Sequence, residues 1–139
     1  MSLLDSDVLL DHIAIAVNDL DKSTQIFQDL GLSFGENREI VDDQSVITSF
    51  AKIGESSHLE LLMPLNKQGP IQKFIDKNGP GIHHICFKVN DIMKTSNQLS
   101  KKGYTLIYDS PKKGANNKLV NFLHPKGTGG VLIELSQDK

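Results

Sequence analysis

The chain has 139 residues, 38% of them apolar, with 15 basic and 17 acidic side chains and a formal net charge of -2. That length supports one compact core and is short for two independent ones, and the charge balance excludes the net basic field that draws nucleic acid. No apolar run approaches the roughly 18 residues of a membrane span. Cys86 is the only cysteine, so no internal disulfide framework exists, and a reducing, cytoplasmic setting is expected. Met1 to Asp7 lack the basic start and apolar run of a secretory signal.

Residues 11–17, rich in Ile and Val, predict a strand. Asp19 stands where a helix N-cap belongs, with Leu20, Phe27 and Leu30 at helical spacing and Gly31 suited to a left-handed stop. Three β-type stretches follow, roughly 33–41, 45–54 and 57–63, closed by Pro64. Between Pro70 and Asn78, Ile71, Phe74 and Ile75 predict a connecting helix, which Gly79-Pro80-Gly81 stops. The order then starts again with a strand at 83–89, Asp91 as cap, Ile92 and Leu99 on a helix, Gly103, and stretches near 104–109, 117–124 and 130–136. The expected fold class is α+β, with two tandem βαβββ modules forming a curved mixed sheet around a metal site. Module 1 spans about 8–66, the linker helix about 69–79 and module 2 about 82–137, as halves of one domain covering 1–139.

The repetition extends to identity. His12-Ile13-Ala14-Ile15-Ala16-Val17-Asn18-Asp19 returns 72 residues later as His84-Ile85-Cys86-Phe87-Lys88-Val89-Asn90-Asp91. Across 12–31 and 84–103, seven of twenty positions are identical, where unrelated segments would share about one. Each half also ends on a strand-like stretch with one acid, Glu60 in the first and Glu134 in the second. Strand alternation puts His12, Ala14 and Ala16 on one face and Ile13, Ile15 and Val17 on the other. The bulky face suits a helix behind the sheet, and the small polar face suits a cavity. The second half places His84, Cys86 and Lys88 toward the cavity in the same way.

An unpaired charge inside apolar strands costs several kcal/mol, and a divalent cation offsets that cost. His12, Glu60, His84 and Glu134 are therefore the candidate metal ligands. Two imidazoles and two carboxylates suit Co2+, favoured here, or Ni2+, Mn2+, Zn2+ or Fe2+ rather than Ca2+. Four protein ligands leave a six-coordinate ion two open positions, which implies catalysis rather than a structural role. His83 competes with His84, but the repeat pairs His84 with His12, and a one-residue slip turns His83 away. Lys112, Lys113 and Lys118 are read as a solvated loop rather than a phosphate site. His124 before Pro125 is read as a turn residue, and Cys86 as a small apolar filler with no cation beside it.

The motifs Asp11-His12-Ile13-Ala14-Ile15-Ala16-Val17, Leu59-Glu60-Leu61-Leu62-Met63-Pro64-Leu65, Gly79-Pro80-Gly81-Ile82-His83-His84-Ile85 and Phe122-Leu123-His124-Pro125-Lys126, with Gly129 to Leu135, carry a resemblance. Over nearly its whole length the chain resembles the vicinal oxygen chelate superfamily and, within it, the methylmalonyl-CoA epimerase family. The resemblance implies the same four ligands and an acyl-CoA substrate. It also implies inversion of the α-carbon by proton abstraction through a metal-stabilised enolate, and a homodimer. Epimerases carry an acid on the loop before the third strand in a Glu-x-Gly-Val context. Here the stretch is Asp43-Gln44-Ser45-Val46, with Asp for Glu and Ser for Gly. Asp43 and Glu134 are thus the implied acid–base pair. Two other activities share the superfamily, a glyoxalase I-type lyase with the same ligand set and a non-enzymatic small-molecule binder.

Overall fold

In a computed structural model describing residues 8–138, each repeat builds strands, a helix and more strands in the same order. Met1 to Asp7, on which the expectation about a secretory signal falls, lie outside the described residues. The chain divides into two compact units, His12–His83 and a second formed by His84 onward together with the segment up to Asp11. No helix among the described residues is long and apolar enough to cross a membrane.

The first unit contains β1 (Leu9–Ala16, from His12), α1 (Leu20–Asp29), β2 (Glu39–Val41), β3 (Val46–Ile53), β4 (Ser57–Pro64) and α2 (Pro70–Asn78). Its strands lie in the order β2-β3-β4-β1. β1 runs parallel to β4, with Ala14 opposite Glu60, and β3 runs antiparallel to β4, with Phe50 opposite Glu60. Asp19 caps α1 by accepting the Lys22 N–H at 3.1 Å. Gly31 (φ 105) ends it, and the Leu32 N–H returns to the Phe27 carbonyl. The α1 face carrying Leu20 and Phe27 covers Ile15, Val17, Leu59, Leu61 and Met63, the bulky sides of the strands. The opposite faces of β1 and β4 are left for His12, Ala14 and Glu60.

The second unit contains β5 (Gly81–Lys88, from His84), α3 (Ile92–Lys101), β6 (Lys112–Lys113), β7 (Leu119–Leu123) and β8 (Ile133–Gln137), ordered β5-β8-β7-β6. β5 is parallel to β8 with Cys86 opposite Glu134, and β7 is antiparallel to β8 with Phe122 opposite Glu134. Asp91 caps α3 through the Lys94 N–H, and Gly103 (φ 101) ends it. Leu135, Val89 and Leu119 pack with Ile92 and Leu99 of α3.

Two predicted strands are corrected. Residues 33–41 reduce to a single bridge, Phe34 to Ala51, and the short β2, and in the loop between them Arg38 pairs with Asp21 of α1. Residues 104–109 keep only the bridge Leu106 to Leu123. The buried Asn121 side chain accepts the Tyr108 N–H and donates to the Tyr108 carbonyl, both at 3.0 Å, so Tyr108 bonds a side chain where a ladder would need main chain. Pairing resumes at Lys112–Lys113, within what the sequence reads as loop.

Lys118 is also corrected, since it is not a solvated loop cation. Its Nζ lies 2.7 Å from the buried Asp11 carboxylate and 3.7 Å from Asp138, and Cys86 is close enough to act on it electrostatically. Burial alone would lower its pKa, but the hydrogen bond and charge of Asp11, with Asp138, outweigh this and raise it above the usual lysine value. A raised lysine pKa stabilises the fold fully below the unfolded value, about 10.4, and that stability is lost as pH rises through the folded value. Lys118→Met is expected to lower unfolding free energy by about 3 kcal/mol near neutral pH, since it takes the cation from a buried carboxylate. Urea unfolding at pH 7 and pH 11 checks this: the gap between wild type and variant should narrow at the higher pH.

Candidate active site

Each unit carries one buried imidazole–carboxylate pair on the face its helix does not cover. In the first, the register sets Glu60 opposite Ala14, two residues along β1 from His12, and the side chains close the diagonal, with His12 Nε2 and Glu60 Oε1 3.2 Å apart. In the second, His84 and Glu134 stand at 2.8 Å. All four residues are buried. The duplication reaches a residue that the sequence analysis missed. Phe50 meets the His12 ring edge-on at 6.2 Å, and Phe122 meets His84 at 5.5 Å. These phenylalanines are 72 residues apart, as the two histidines are, so extending the repeat beyond Gly31 would have found them. Each phenylalanine sets an edge-to-face aromatic contact beside its imidazole.

His83 takes no part in these pairs. Its half-buried ring packs edge-on against Phe74 of α2 at 4.9 Å. His124 caps the turn Pro125–Gly127, its Nδ1 accepting the Lys126 N–H at 3.1 Å. Cys86 is buried opposite Glu134 on the neighbouring strand and forms no disulfide, and Lys118 is near enough to act on it electrostatically, which corrects the expectation of no cation beside it. Asp43 lies exposed in a one-turn 3-10 helix, Asp42–Gln44, immediately before β3.

The donor set fits a divalent cation. Two donors each about 2.1 Å from an ion and at right angles to one another are about 3 Å apart. The two observed separations, 3.2 Å and 2.8 Å, match that edge. Ring nitrogens facing carboxylate oxygens inside apolar strands also suit Co2+, Ni2+, Mn2+, Fe2+ or Zn2+ better than an all-oxygen ion.

Residues 11–122 match the family model of the glyoxalase/bleomycin resistance protein/dioxygenase superfamily. The chain belongs to that superfamily. It is 40% identical over 130 residues to mitochondrial methylmalonyl-CoA epimerase of Mus musculus, an alignment covering 92% of this chain and 72% of the mouse protein. The crystal structure of methylmalonyl-CoA epimerase from Mycobacterium tuberculosis matches with a TM-score of 0.93 and 38% identity, over 99% of this chain and 93% of that one. Streptomyces coelicolor methylmalonyl-CoA epimerase in complex with 2-nitronate-propionyl-CoA matches at 0.90 and 34%, over 96% and 99%. The glyoxalase-like α+β fold expected from the sequence is the fold of these superfamily members and of this chain.

Proposed function

We propose that the chain is a metal-dependent epimerase acting on the α-carbon of methylmalonyl-CoA. The observation that carries the reading is the buried His–Glu pair repeated in both units of a superfamily member whose relatives are methylmalonyl-CoA epimerases. His12, Glu60, His84 and Glu134 are the residues that would hold the divalent cation, Co2+ first among the candidates. When bound, that cation supplies positive charge beside the acyl oxygens, where negative charge develops as the α-proton leaves.

The remaining work falls to side chains. The proton between a thioester and a carboxylate is acidic because its loss delocalises charge onto the thioester oxygen. Inverting the carbon needs a base on one face and an acid on the other. Glu134 serves one face and Asp43 the other, and they exchange roles with the direction of reaction. Phe50 and Phe122 set aromatic rings edge-to-face beside the imidazoles.

The reading is tested by incubating metal-loaded protein with methylmalonyl-CoA in heavy water. One deuterium per molecule is expected at the α-carbon, with a single epimer converting to a mixture of both. No incorporation, together with turnover of a glutathione hemithioacetal, would instead assign the glyoxalase-type reaction.

A further inference from the structure

The turn that carries Asp43 closes at Ser45, whose φ of 54° and ψ of 47° lie in the left-handed region, a conformation disfavoured for any residue with a Cβ. The corner is tied down on both sides. The Ser45 N–H donates to the Asp42 carbonyl at 3.1 Å, and the Ser45 carbonyl accepts from the Leu65 N–H at 3.0 Å. Against it lies Gly69, the N-cap of α2, whose carbonyl accepts from the Lys73 N–H. Gly69 has an ordinary extended backbone (φ -80°, ψ 171°) that any residue adopts, so its own conformation does not require glycine. Its surroundings do. A Cβ at position 69 would sit 2.8 Å from the Ser45 Cβ, with the Gln44 and Ser45 carbonyl oxygens at 3.5 and 3.6 Å.

Neither Cβ can rotate away, since each is fixed to its backbone. A side chain at 69 would therefore push the turn or the helix by about half an ångström to reach ordinary contact. Asp43 sits two residues before Ser45 and would move with the turn. We infer that Gly69 is a positioning residue: by leaving room for the Ser45 Cβ, it seats the turn and so sets the reach of the Asp43 carboxylate. The inference rests on the reading of Asp43 as the second acid–base group. Asp43 is one methylene shorter than the glutamate it replaces in the epimerase pattern, and misplacement near 1 Å costs up to about a hundredfold in rate.

The test is a cycle of Gly69→Ala, Ser45→Gly and the double variant, read by Tm, by kcat and KM on methylmalonyl-CoA, and by deuterium wash-in from each epimer separately. Gly69→Ala alone should lower Tm by about 5 °C and kcat about tenfold, with KM nearly unchanged and wash-in slowed from one epimer only. In the Ser45→Gly background the same substitution should lower Tm by no more than the small cost of an Ala N-cap offset by a stiffer unfolded chain, and kcat should return. A Gly69→Ala effect of equal size in both backgrounds, or no effect in either, overturns the inference. Asp43→Asn is the separate control. Unchanged wash-in from both epimers would refute Asp43 as a base whatever the Tm cycle gives, whereas slowed wash-in with an additive cycle would refute the Gly69 contact alone.

Discussion

Glu134→Gln is expected to lower turnover of methylmalonyl-CoA by about a thousandfold while leaving the protein folded. The substitution keeps side-chain volume and leaves an amide oxygen that can still face the His84 Nε2, 2.8 Å from the carboxylate in the native chain. It removes the basicity that the proposed reaction requires of Glu134, a contribution of about a hundred- to ten-thousandfold for a positioned base. Glu60→Gln supplies the contrast. Glu60 is placed in the reaction as a ligand only, so its loss should weaken metal affinity and be largely recovered at high metal concentration, whereas the Glu134 defect should persist. Steady-state kcat measured across a metal titration separates them. Glu134→Gln retaining more than a tenth of wild-type turnover at saturating metal would remove Glu134 from the base role.

Removing the cation is expected to abolish turnover and to leave a folded but less stable protein. Two observations lead there. The pairs His12–Glu60 and His84–Glu134 sit at hydrogen-bond distance, so each buried carboxylate keeps a donor in the absence of metal, and the fold should survive. A ligand that binds only the native state at a thousand times its Kd adds about 4 kcal/mol, which for a chain of this length corresponds to a Tm change of about 10 °C or more. Thermal unfolding before and after dialysis against a chelator, followed by Co2+ addition, measures this without reference to activity. His12→Ala should abolish the Tm response to Co2+. A chelated protein showing full turnover and an unshifted Tm, with no metal by elemental analysis, would end the metal reading.

Much of this molecule could be read along the chain because the features concerned are local. Asp19 and Asp91 cap helices through N–H groups three residues away, and Gly31 and Gly103 end them with φ values near +100° that other residues avoid. The linker helix follows from the spacing of Ile71, Phe74 and Ile75, and α2 runs over the expected Pro70–Asn78. The choice of His84 over His83 depended on period 2 and on the 72-residue offset. The structure seats His84 beside Glu134 and His83 against Phe74.

What escaped that reading joins residues distant in sequence through side chains whose reach no periodicity encodes. Asn121 takes over the backbone bonds of Tyr108, and a sequence rich enough in β-formers to suggest a strand at 104–109 forms one bridge instead. Lys118 crosses 107 positions to Asp11, which turns an apparent loop lysine into half of a buried ion pair. Gly69 meets Ser45 only because α2 begins beside the turn. By itself, then, the sequence determined the repeated βαβββ order, the helix ends and which side chains share a strand face, since these follow from backbone geometry over a few residues. Tertiary structure alone decided the partners of Asn121, Lys118 and Gly69, because those contacts depend on where loops and strand ends come to lie, which no local period encodes.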